Sequence, residues 1–221
     1  MHNIQDFISF VTENLKNWGV KTEMSPERQV YTGNDGTGFA CSGFFSELPE
    51  LKLAVAMGKP EKEWLSILAH EYSHATQWKE QSPYWTNLFK DWGQGKEEAT
   101  EALDRWLQGE EWGEEKIAEV IACVRDVERD CEERTVKLIH AFNLPIDAEE
   151  YTQKANAYVY FYNWLGKTRQ WYEAGLAPYE IEDIWRSAPK SFSYSAETPK
   201  ELEEAFQRNY ALKSTIKPPL P

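Results

Sequence analysis

One short stretch constrains this chain more than any other: Ile67-Leu68-Ala69-His70-Glu71-Tyr72-Ser73-His74-Ala75. His70 and His74 are four residues apart, and on an α-helix residues i and i+4 lie one above the other on the same face. Both imidazoles can then reach one tetrahedral ion, with Glu71 offset toward its open position. A Zn²⁺ held this way keeps a water, lowers its pKa toward about 7, and needs a carboxylate to accept the proton. The spacing predicts a helix over residues 60–78, since no Pro or Gly interrupts 61–78 and the residues beside the two histidines are uncharged. With 4 His among 221 residues, about 0.007 matches to H-E-x-x-H are expected by chance, so coincidence explains the pattern poorly. The competing explanation is a buried amphipathic helix whose histidines are satisfied by core partners.

On these residues the chain resembles the zincin metallopeptidases, whose hallmark is such a helix lying beneath a small sheet. The resemblance implies an α+β fold, with a small mixed or antiparallel sheet packed on the H-E-x-x-H helix and a mainly helical C-terminal part. It implies a bound Zn²⁺ and hydrolysis of a peptide bond, with Glu71 as general base. It also implies that the strand before the motif helix, over 51–57, forms the sheet's edge and pairs with an extended substrate. The longer metzincin motif is absent, because Gln77 and Glu80 stand where its Gly and third His would be.

The third ligand must come from elsewhere, and a long helix predicted over 114–142 offers it. At about 100° per residue, Val120, Ile121, Val124, Val127, Cys131, Leu138, Ile139 and Phe142 gather on one face. Glu128 falls near the centre of that stripe and Glu132 at its edge, whereas Asp130 and Glu133 point away. A carboxylate within a core-facing stripe is costly unless a cation or hydrogen bonds compensate it. Glu128-Arg129-Asp130-Cys131-Glu132 resembles the gluzincin pattern, in which a glutamate on a later helix is the third ligand. There, an acid one turn further on orients a ligating histidine. That resemblance assigns the metal to His70, His74 and Glu128, with Glu132 either the alternative third ligand or, by default, the acid behind a ligating histidine, and Cys131 as a small buried residue. It extends over about 51–140; beyond, similar segments are those of phage-type proteins.

The remaining segments are read from their periods and breakers. A helix is predicted over 4–18, strands over 20–24, 29–32, 39–45 and 51–57, and a hairpin turn over 33–38. Shorter helices are predicted over 97–107, 178–185 and 199–212, with an aromatic helix over 151–165. On the aromatic helix, Tyr158 and Tyr162 share a face and are candidates to steady a tetrahedral oxyanion, although packing of the core is the commoner role. His140 is expected at the surface and His2 at the terminus. The expected organisation is a catalytic core over 1–148, a helical portion over 149–221 packed on it, and a mobile tail over 214–221.

Composition narrows the alternatives. A net charge of −13 disfavours direct binding to nucleic acid or anionic membranes. Ten Trp and 14% aromatic residues argue for a packed core rather than disorder. Cys41, Cys123 and Cys131 form no C-x-x-C pair and are expected as free thiols in a cytoplasmic protein without signal peptide or membrane span. The expected partner is a peptide or protein substrate. A second function class stays open: a catalytically silent zincin-fold binding protein whose acidic surface occupies a nucleic-acid-binding or host partner.

Overall fold

The computed structural model describes residues 4–32, 38–93, 95–192 and 195–210. His2, turn residues 33–37 and the tail over 214–221 lie outside the described residues. The chain is α+β and divides into two compact units, Met1–Thr86 with Cys131–Ala148, and Asn87–Asp130 with Glu149–Pro221. The second unit therefore contains the C-terminal portion together with 87–130.

The first unit opens with α1 (Ile4–Asn17), whose Phe7, Val11 and Leu15 recur at helical spacing and are fully buried. Gly19, at φ 76°, turns the chain where a side chain would be strained. β1 (Lys21–Ser25), β2 (Val30–Tyr31), β3 (Ala40–Cys41), β4 (Gly43–Ser46) and β5 (Lys52–Ala56) follow. A three-stranded sheet has the order β1-β5-β4, with β5 parallel to β1 and antiparallel to β4. The sheet is mixed, as expected, but the strand before the motif helix is its centre and not its edge. The reason lies in Leu53, Ala54, Val55 and Ala56, all without exposure: a strand covered on both faces and paired on both sides reads as a continuous apolar run. The edge beside the motif helix is β4. The single strand expected over 39–45 breaks at Ser42, so that β3 pairs with β2 and β4 pairs with β5.

α2 (Glu61–Glu80) packs against β4 and β5. It starts after Pro60, carries Glu61 and Glu63 in its first turn where the helix dipole favours acids, and ends at Gln81. Gln81 adopts φ 51° and returns its N–H to Trp78 O at 3.0 Å. Leu65 and Leu68 are fully buried, each contributing about 1.5–3 kcal/mol, which fixes the rotation of this helix and hence the direction of its histidines.

α3 (Pro83–Leu88) leads into the second unit. There β6 (Phe89–Asp91) and β7 (Lys96–Glu98) form a small antiparallel pair, followed by α4 (Ala99–Leu107). The helix expected over 97–107 thus begins two residues later, because Glu97 and Glu98 are taken by the pairing with β6. α5 (Glu114–Phe142) is one continuous helix that contributes to both units. α6 (Ala148–Thr168), α7 (Glu182–Arg186) and α8 (Lys200–Tyr210) complete the chain. The three cysteines are free thiols. Among the described residues no helix is long and apolar enough to cross a membrane.

Candidate metal centre

α2 turns its apolar residues to the sheet and brings His70 and His74 together on one face, with ring centroids 4.7 Å apart at 89°. Each ring is held from behind. Nδ1 of His70 lies 3.2 Å from Glu132 Oε1 on α5, and Nδ1 of His74 lies 2.9 Å from Gln77 Oε1, one turn along α2. With Nδ1 donating to these oxygens, the coordinating lone pair of each imidazole is on Nε2, the tautomer that such outer partners fix in metal sites. Trp85 flanks His74, with centroids 6.2 Å apart.

Cys131 lies against the same nitrogen of His70 as Glu132 does. Its thiol donates to the His70 carbonyl at 3.3 Å and lies 3.6 Å from Nδ1. Burial alone would lower the basicity of His70, but the adjacent Cys131 and Glu132 outweigh it and hold the pKa well above the usual histidine range. One donor atom each from His70, His74 and Cys131 lies within 4.8 Å of the others, so this group could hold a metal ion. Two imidazoles and a thiol are donors that suit zinc.

Glu71 is buried beside β4. A Cβ at Gly43 would come within 2.5 Å of Ile67 Cγ2 and 3.3 Å of Glu71 Cγ, so a bare glycine is what lets the strand approach this carboxylate. The Glu71 charge is felt at Cys41, whose thiol is pushed up to about 11 by burial and then by Glu71.

The first unit thus gathers His70, Glu71, His74 and Glu132. Glu132 is 6% exposed, beside His70 Nδ1, and Glu128 is half-buried. Glu128 belongs to the second unit, with Tyr158 and Tyr162. The two tyrosine hydroxyls are 2.9 Å apart. Burial raises both pKa values well above the usual range, and the Glu128 charge adds to this. His140 is exposed, as expected. Two residues matter beyond what their types announce. Cys131, by sequence a small core thiol, touches His70. Gln77, by sequence only a departure from the longer motif, holds His74. Its signal was an amide at i+3 from His74, on a position that proves fully buried.

No protein-family model matches this chain, and no curated protein or solved structure matches it either.

Proposed function

We propose that this protein is a zinc-dependent, endopeptidase-like metallopeptidase of zincin type acting on a peptide or protein substrate. The observation that carries the reading is the pair His70 and His74, each with Nδ1 held by a protein oxygen, beside the buried Glu71. Zinc, when bound, supplies a Lewis acid and a water acidic enough to lose a proton near neutral pH. Glu71 would accept a proton from the attacking water and pass it to the departing amine. Glu132 and Gln77 keep the two imidazoles in one tautomer and orientation. Gly43 leaves room for the Glu71 side chain at the sheet edge.

Glu128 is the third ligand on the gluzincin resemblance. Cys131 is the alternative that its nearness to both histidines favours. Its thiol, however, lies against Nδ1 of His70, on the side taken by Glu132, which supports a packing role.

The deciding experiment compares the wild type with Glu71→Gln, first for zinc content and then for new peptide ends generated in a whole proteome. Both proteins should hold one zinc per chain, and turnover should fall by about three orders of magnitude or more in the variant. Equal cleavage by the two would remove Glu71 from the mechanism. Zinc in both with no new peptide ends from either would establish the silent binding protein instead.

A further inference from the structure

We propose a second ligand site in the first unit, on the back of the motif helix: a cleft that binds a small organic anion with a planar or otherwise apolar body. The cleft has a volume of about 390 Å³ and lies between α1, α2 and α5, a size suited to one small molecule. Its position separates it from the metal centre. Tyr72, which lines it, is two residues from both His70 and His74, about 160–200° around the helix from each.

The walls are apolar and fixed. Trp18 stacks on Tyr72 at 9° with centroids 5.7 Å apart, and Phe10 meets the same ring edge-on at 5.7 Å. The Tyr72 hydroxyl accepts a hydrogen bond from Asn14 at 2.9 Å. The hydroxyl of Ser73 is taken by Ala69 O and Thr135, and that of Thr76 donates to Ser73 O. The polar groups of the floor are therefore engaged within the protein, and Phe10 still exposes 40% of its surface. An apolar body is what such a floor accepts.

The rim sets the sign of the ligand. Lys79, Arg134 and Lys137 line the cleft with one acid, Glu80, which Arg134 engages at 2.7 Å. Lys79 and Lys137 have no ion-pair partner among the described residues, and both are exposed. In a chain of net charge −13, a lining with three basic residues and one acid is basic against the overall balance. A carboxylate, sulfonate or phosphate on the ligand pairs with the two lysines, and its apolar part covers Phe10 and Trp18.

The test uses 8-anilinonaphthalene-1-sulfonate as probe and the uncharged N-phenyl-1-naphthylamine as its counterpart, titrated into the purified full chain. One sulfonate should bind per chain. Lys79→Gln/Lys137→Gln should weaken it about tenfold or more, while leaving the uncharged probe nearly unaffected. Lys62→Gln/Lys96→Gln removes the same charge elsewhere and should change neither, and Phe10→Ala should weaken both probes. Circular dichroism of each variant reports folding. If sulfonate binding is undetectable at millimolar probe, or the two lysine pairs behave alike, the site does not exist. Because the readout involves neither zinc nor hydrolysis, this result and the fate of the peptidase reading are independent.

Discussion

Two pairs of side chains share one spacing on two helices and resolve it in opposite ways. His70 and His74 on α2 stand at i, i+4 with rings 4.7 Å apart, as Tyr158 and Tyr162 on α6 do with rings 5.4 Å apart. The tyrosines close on each other, hydroxyl to hydroxyl at 2.9 Å. The histidines turn outward, one to Glu132 and the other to Gln77. Helical spacing decides only which face two residues share. What lies behind them decides whether the pair completes itself or presents donors to a third body.

The largest expected effect breaks the comparison at its strong end. His70→Ala or His74→Ala should abolish stoichiometric zinc, lowering affinity by about a thousandfold or more, because a two-ligand site holds the ion poorly. Tyr158→Phe should leave zinc content unchanged. Metal analysis of dialysed protein checks both, and full occupancy in the histidine variants would return those residues to the role of satisfied core groups.

A finer series sharpens what stands behind the histidines. Glu132→Gln should weaken zinc binding by about 10–100-fold, the usual loss for an outer partner that orients a ligand. Gln77→Ala should cost less, since a neutral amide polarises imidazole less than a carboxylate does. Glu128→Gln should exceed both, while Cys131→Ser should cost little if the thiol only packs against His70. Competitive zinc titrations give the order, and a loss in Cys131→Ser larger than in Glu128→Gln would make the thiolate the third ligand. Asp130→Asn and Glu133→Gln should change little.

These residues also mark how far the sequence was legible. The helix carrying the acidic run was readable end to end and the motif helix to within two residues of its C-terminal end, because their 3.6-residue period persists over several turns, Pro60 precedes the one and Pro145 follows the other. Strand order was not readable: the run Leu53 to Ala56 shows burial on both faces, but which strands flank it depends on pairings distant in the chain. The β6–β7 pair is short and charged, so it carries no period at all. At the site, the two histidines and Glu71 were readable from spacing. The relative burial of Glu128 and Glu132 was not, because an ideal wheel ignores which neighbour covers each side chain. Cys131 and Gln77 escaped for a similar reason: their significance is a contact with a histidine, and residue type alone does not announce one.

The smallest effect concerns the self-contained pair. Tyr158→Phe removes one hydroxyl and strands the Tyr162 hydroxyl in a site 3% exposed, which should cost about 1–3 kcal/mol in denaturant unfolding. Replacing both tyrosines should cost less than the sum of the single changes, since the double variant leaves no orphaned group. Alkaline titration gives an independent reading. Burial raises both pKa values above the ordinary tyrosine value of 10.0, so the folded state holds these protons more tightly than the unfolded chain. The stability this contributes is whole below pH 10 and is lost as pH rises toward the folded-state values. The double phenylalanine variant should therefore lose stability less steeply above pH 10 than the wild type. A tyrosine that instead steadies an oxyanion would show the opposite pattern, with turnover falling by orders of magnitude at nearly constant stability, and the pair would then belong with the histidines rather than against them.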